Sequence, residues 1–299
     1  MKKTQQIVEA VPNFSEGRRP EVIQAIIDAY NSVDGARVID YSSDPDHNRT
    51  VVTLVGSPEA VSEALFRGIA KAAELIDMDE QEGEHPRIGA TDVVPFIPIR
   101  NVSMDEAVEM ARNLALRVSE ELGIPVYLYA RAATRPDRVV LSHIRKGEYE
   151  GLKAELEAGN EERRPDFGPD KLGKAGATVI GARPPLIAYN IYLTTDDVDI
   201  AKKIARAVRH SSGGLRYVQA MGVLVEGRAQ VSMNLLDYTK TPVYRVTELV
   251  RREAARYGVG IKNAELIGLI PRQALIDAAQ WYLQLDNLTP ESILENHLD

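Results

Sequence analysis

The 299-residue sequence contains no cysteine. That excludes a disulfide framework, a thiolate nucleophile and any cysteine-ligated zinc or iron–sulfur centre. No apolar run approaches the roughly 18 residues that cross a bilayer, so no membrane partner is expected. The N-terminus is basic, Met1-Lys2-Lys3-Thr4, but the following Ile7-Val8-Glu9-Ala10-Val11-Pro12 is too short and too polar for a signal-peptide core. A cytoplasmic location is expected. Positive charge is in deficit: 36 Lys and Arg against 44 Asp and Glu leave a net charge of -8. A nucleic-acid binder would carry the opposite footprint, so no nucleic acid is expected as partner. An anionic small molecule fits only a locally positive pocket.

What is present is an ordinary globular composition, 44% hydrophobic and 27% charged, over about twice the length of a typical domain. Strand and helix signals alternate. Gln6 to Val11 reads as a strand, Pro20 to Tyr30 as a helix, and Val38 to Asp40 and Val51 to Val55 as strands around a turn-rich loop. Ser57-Pro58-Glu59 predicts a helix start, and Ser103 with Glu106 a capping box. Val93 to Ile99 is strand-like, but Pro95 and Pro98 predict an edge or a departure from the sheet. The stretch from Lys146 to Gly176, rich in glycine, proline and charge, reads as a connection between two halves. Beyond it come strand 186–193, helix 198–208, strands 218–225 and 230–236, helix 243–257, strand 264–270 and helix 273–283. Each half thus reads β-α-β-β-α-β, with an echo between the hydroxyl-proline pairs Ser57-Pro58 and Thr241-Pro242. The expected fold is α+β: two βαββαβ, ferredoxin-like subdomains, residues 1–180 and 181–299, with a ligand tunnel or cleft between them.

The segment richest in chemistry is Gly83-Glu84-His85-Pro86-Arg87-Ile88-Gly89-Ala90-Thr91-Asp92. Pro86 restricts the backbone of His85, and a fixed imidazole suits general acid–base work; an ordinary hydrogen-bonded surface histidine has the same local sequence. Asp44, Asp46 and His47 could be drawn as a hard-metal site, but an Asx-rich loop capping its own backbone is the simpler reading. No metal is expected. Asn48-Arg49-Thr50 is a donor-rich trio able to take a carboxylate, and Asn13 and Ser15 end the first strand where ligand contacts commonly fall. The glycine-rich pieces around Gly168 to Gly176 and Ser211 to Gly214 match no nucleotide fingerprint.

Several of these segments together resemble one family. Val-Pro-Asn-Phe-Ser-Glu-Gly (11–17), Asn-Arg-Thr-Val (48–51), Gly-Glu-His-Pro-Arg-Ile-Gly-Ala (83–90), Pro-Phe-Ile-Pro (95–98), Pro-Val-Tyr-Leu-Tyr (125–129), Pro-Asp-Phe-Gly-Pro (165–169) and Gly-Ala-Arg-Pro-Pro-Leu-Ile-Ala-Tyr-Asn (181–190) are similar to glutamate formiminotransferase, from about residue 7 to 280. Only the transferase half of the bifunctional animal enzyme is resembled, so a stand-alone transferase is expected. The resemblance implies transfer of a formimino group from N-formimino-L-glutamate to tetrahydrofolate as co-substrate, in histidine degradation. It implies His85 as acid/base. It implies folate contacts along Gly168-Pro169-Asp170-Lys171-Leu172-Gly173-Lys174-Ala175-Gly176 and Gly213-Gly214-Leu215-Arg216-Tyr217-Val218-Gln219-Ala220-Met221-Gly222. Within the motifs, Asn13, Ser15, Asn48, Arg49, Arg87 and Arg183 are the expected substrate-binding residues, and Lys171, Lys174 and Arg216 suit the anionic folate tail. A histidine near its ordinary pKa of about 6.5 would serve both proton transfers. Formyl transfer between 5-formyltetrahydrofolate and glutamate, and folate binding without catalysis, remain alternatives. A homodimer is the expected assembly.

Overall fold

Helix starts are where sequence signals translate most directly into structure. In the computed structural model, which describes residues 5–297, helix α1 runs Pro20–Asn31, α2 Pro58–Leu75 and α3 Met104–Leu122. The Ser57 hydroxyl accepts from the Ala60 amide at 3.3 Å, and Ser103 and Glu106 form the reciprocal capping box. Gly68 sits inside α2, where glycine costs roughly 1 kcal/mol relative to alanine. The buried ring of Tyr30 on α1 lies against it, and any Cβ there would overlap the ring. Close packing of α1 on α2 outweighs the local propensity.

The chain divides into two compact units, one ending at Pro184 and the other beginning at Pro185. In the first, strands β1 (Ile7–Ala10), β2 (Asn13–Phe14), β3 (Ala36–Asp44), β4 (Arg49–Gly56), β5 (Thr91–Arg100), β6 (Val126–Ala130) and β7 (Thr178–Ala182) form one seven-stranded sheet, ordered β1-β4-β2-β5-β7-β6 with β3 on β4. Phe14, Val52, Leu54, Leu65, Ile69 and Phe96 lie in its fully buried core.

Two expectations change here. β5 is central rather than at an edge: it pairs antiparallel with β1 and β2 and parallel with β7. Its prolines sit where no donor is missed. Pro98 faces Val8 at the register shift beside Ile7, and Pro95 lies beyond the last β1 partner, Phe96, and before the first β2 partner, Val93. The stretch read as a connector is woven into the first unit. It follows α4 (Leu141–Ile144), contains α5 (Glu148–Glu157), and leads into β7, which fills the position between β5 and β6. The first unit therefore extends its β-α-β-β-α-β run with α3, β6 and β7.

The second unit follows the order β8 (Ile187–Leu193), α6 (Val198–Val208), β9 (Val218–Val225), β10 (Arg228–Leu235), α7 (Val243–Ala255), β11 (Ile261–Ile267) and α8 (Arg272–Leu283). Its four strands are antiparallel, ordered β11-β8-β10-β9, over a core that includes Ile191, Leu193, Ile204, Val231 and Val246. Thr241 does not cap α7 as Ser57 caps α2. The helix begins at Val243, so Pro242 takes the cap position, and the Thr241 hydroxyl donates to the Arg216 carbonyl at 2.5 Å. Among the described residues, no helix is long and apolar enough to cross a membrane.

Candidate functional site

Three segments of the first unit meet in one polar recess. Ser15 comes from the turn after β2, and His47, Asn48 and Arg49 from the β3–β4 hairpin. Gln81, His85, Arg87 and Asp92 come from the loop that precedes β5 and from its start. Two glycines let the backbones close up. A Cβ at Gly17 would strike the Asp44 carbonyl, and one at Gly83 the His47 carbonyl. Asn48, in the left-handed region with φ of 47°, stitches the segments together. Its Oδ1 accepts from the Gly17 amide at 2.9 Å, its Nδ2 donates to the Glu82 carbonyl at 2.7 Å, and its own carbonyl accepts from Gln81 at 3.2 Å.

Ser15 ties the other side. Its hydroxyl donates to the Gly89 carbonyl at 2.8 Å and its amide to Ala90 at 2.9 Å. The Gly168–Gly176 loop packs against the same segment: the Ala90 amide donates to Ala175 at 2.8 Å and the Ala177 amide to Ile88 at 2.9 Å. Within that loop Leu172 is buried, Lys174 pairs with Asp77 at 2.8 Å, and Asp170 pairs with Arg164 at 3.1 Å.

His85 sits half-buried in the recess, and Arg49 Nη1 donates to its Nε2 at 2.5 Å. Only a neutral imidazole with Nε2 unprotonated accepts that bond. Burial, then the charges of Arg49 and Arg145 and the nearby His47, push the His85 pKa down to about 3, far from the ordinary value expected of a proton shuttle. The His47 ring stands edge-on, 6.3 Å away between centroids.

Asp44 and His47 take the loop-capping arrangement. The Asp44 carboxylate accepts from the amides of Asp46 and His47 and from the His47 ring at 2.7 Å. Burial opposes the charge, yet the hydrogen bonds from His47 hold the Asp44 carboxyl below its usual range.

The arginines divide sharply. Arg87 is buried and all five of its N–H groups are taken: by the Gln81 side chain and carbonyl, and by Glu148 and Glu150 at 2.7–2.9 Å. It fastens the His85 loop to α5. Arg49, by contrast, pairs with no carboxylate among the described residues, and burial and the neighbouring Arg145 charge both depress its pKa. Arg145 is bound to the buried Asp92, which also accepts from the Ile88 amide at 2.8 Å; the Arg145 Nε is buried without a partner. Two guanidiniums therefore face one committed carboxylate. The arrangement offers a neutral base beside excess positive charge, which suits an anionic substrate and a proton transfer.

Other expected residues are not among those that line it. Asn13 donates to the Val11 carbonyl at 3.1 Å and does not line the recess. Arg183 follows β7, beside Glu9 and the buried Tyr129. The Gly213–Gly222 segment belongs to the second unit, where Gly222 is pressed onto α6, and Arg216 and Lys240 lie over the Tyr217 ring at 5.1 and 5.2 Å. Gln81, Asp92, Arg145, Glu148 and Glu150 gave no individual signal in sequence. Asp92 closes the motif segment, but its partner Arg145 is 53 residues away.

Comparison with known proteins gives the family. Residues 7–183 match the formiminotransferase domain, N-terminal subdomain, and residues 188–297 match the formiminotransferase domain. A glutamate formimidoyltransferase of Thermoplasma acidophilum is 52% identical, covering 98% of this chain and 97% of the relative. One from Streptococcus pyogenes serotype M1 is 48% identical, covering 98% of each. The formimidoyltransferase-cyclodeaminase of Rattus norvegicus is 46% identical, covering 95% of this chain and 53% of the longer relative. With family matches on both units and near-full-length relatives at about half identity, the chain belongs to the formiminotransferase domain family.

Proposed function

We propose that this chain is a glutamate formimidoyltransferase, moving the formimino group of N-formimino-L-glutamate to tetrahydrofolate and releasing L-glutamate and 5-formiminotetrahydrofolate. The observation that carries this reading is the neutral His85 imidazole, its Nε2 presented beside a guanidinium that lacks a carboxylate. The chemistry requires both parts. The N5 lone pair of tetrahydrofolate adds to the amidine carbon, and the N5 proton must leave. His85 Nε2 accepts it, and the resulting imidazolium returns it to the glutamate nitrogen as the carbon–nitrogen bond breaks. Without that proton the amine is a very poor leaving group, and such assistance is typically worth 10²–10⁴-fold.

Arg49 has donors to offer a glutamate carboxylate, and Arg145 adds charge nearby. Arg87 has none to spare, so its part is to position the loop that carries His85. Ser15 and Asn48 hold the recess in shape. Lys171, on the loop bonded to the His85 segment, supplies positive charge for the folate tail, and the exposed Lys174 adds to it on leaving its surface pair with Asp77.

The direct test mixes N-formimino-L-glutamate with tetrahydrofolate and the protein and follows formation of 5-formiminotetrahydrofolate. Product formed at a rate proportional to protein supports the reading; none, with transfer from 5-formyltetrahydrofolate instead, replaces it with formyl transfer.

A further inference from the structure

A base whose lone pair is already occupied cannot take a proton. His85 Nε2 is in that condition, because Arg49 Nη1 donates to it at 2.5 Å. The bond is a poor one for Arg49. Its guanidinium is largely withdrawn from water, finds no carboxylate among the described residues, and lies within the field of a second guanidinium, Arg145. The nearby carboxylates are engaged elsewhere: Asp92 with Arg145 and the Ile88 amide, Asp44 with His47. A half-buried cation whose direct side-chain hydrogen bond goes to a neutral ring, with Asp92 and Asp44 acting on it only at a distance, will exchange that ring for an anion, since charge-assisted bonds to carboxylate are roughly twice as strong as neutral ones.

We propose that Arg49 is a carboxylate-operated cap on His85: a carboxylate of the glutamate substrate draws the guanidinium off Nε2, with Arg145 as the second donor to that carboxylate, and so uncovers the base. Arg145 suits this part because its Nε is buried without a partner. The consequence is ordered chemistry. His85 becomes competent when the glutamate moiety is seated. The same carboxylate supplies the negative charge that an imidazolium needs in this pocket. The charged and titratable groups facing His85 are Arg49 from β4, Arg145 beyond α4, and His47 from the hairpin, with Asp92 across from them on β5. An anion there changes the balance from repulsion to compensation.

The inference rests on His85 being the acid/base of the proposed transfer, and its test separates the two. Histidine-labelled protein has five histidines, so His85 is assigned by comparison with His85→Gln and titrated by NMR. Wild type is titrated in sodium chloride and in L-glutamate of equal ionic strength, and Arg49→Gln in sodium chloride. Expected is a His85 that stays neutral through pH 5 in wild type with chloride, and whose midpoint rises by at least about two pH units with glutamate and in Arg49→Gln. An unmoved His85 midpoint with glutamate overturns the cap. So does an Arg49→Gln protein, folded by its circular dichroism, in which His85 titrates as in wild type. The glutamate arm needs no variant and stands if Arg49→Gln fails to fold. Transfer activity is scored separately: product with no response of His85 removes the cap alone, while absence of product removes the transfer reading.

Discussion

The two units solve the problem of a core in different ways. The first buries the charged side chains Glu16, Arg87, Asp92 and Arg138, together with Asn13, Ser15, Asn48 and Gln81. The second, among the described residues, buries only Gln230 and Thr241 from the polar set. Each buried charge in the first unit is answered: Glu16 by Arg19 and two amides, Arg87 by two glutamates, Asp92 by Arg145, and Arg138 by Asp166 at 2.5 Å. Such networks are poor sources of stability, because desolvation consumes most of the attraction, but they fix side chains in one arrangement. The first unit is thus built around the position of its polar groups. The second resembles a plain helix-on-sheet core that holds its own loops.

The sharpest way to break this comparison is to remove one half of a buried pair. Asp92→Ala leaves Arg145 with an uncompensated charge and the Ile88 amide without an acceptor, and should cost about 3–5 kcal/mol. Urea unfolding would measure it. A loss below about 1 kcal/mol would mean the pair is solvated and the unit is not organised around it.

Next in size is His85→Gln, which keeps hydrogen-bonding capacity and loses the ability to ionise. It should lower kcat two or more orders of magnitude, about 2.7 kcal/mol, with KM for either substrate little changed. Retention of more than about a tenth of kcat in steady-state assays would leave positioning alone to explain catalysis.

The same residue gives a pH signature for the first unit. His85 titrates near 3 folded and near 6.5 unfolded. Between those values the unfolded chain binds the extra proton, so this group makes stability rise with pH and fall as pH drops from about 6.5 toward 3. The slope is at most about 1.4 kcal/mol per pH unit. Denaturant melts at pH 7 and pH 4.5 should show a larger acid loss in wild type than in His85→Gln. Equal losses would place His85 in water.

What the sequence made legible follows the same division. Local signals carried well: the Ser57 and Ser103 caps, the Asx turn at Asp44, and helix 198–208 match the structure because each is decided within a few residues. The His85 loop was read as a motif and by family resemblance, and the structure brings it into the polar recess. Failures came where distant chain decides. Pro95 and Pro98 read as edge residues until the break between β1 and β2 and the register shift at Val8 are seen. β7 was hidden in glycine-rich sequence because its pairing partners, β5 and β6, lie far upstream. Arg87 and Arg49 are equivalent in sequence, and only Glu148 and Glu150, more than 60 residues from Arg87, separate a committed guanidinium from an available one.

The smallest effect tests the second unit's side of the comparison. Thr241 is its one buried hydroxyl among the described residues, and its bond to the Arg216 carbonyl restrains the start of the Gly213–Gly222 segment. Thr241→Val keeps the shape and removes one neutral hydrogen bond, so it should cost only about 1 kcal/mol. Because Thr241 is absent from the His85 recess, kcat should stay within about twofold, corresponding to roughly 0.4 kcal/mol. If that segment contacts folate, the change should appear instead as a raised KM for tetrahydrofolate with KM for the glutamate substrate unaltered. A Thr241→Val enzyme whose kcat falls as far as that of His85→Gln would show that the chemistry depends on polar order in the second unit as well, and the division drawn between the two would fail.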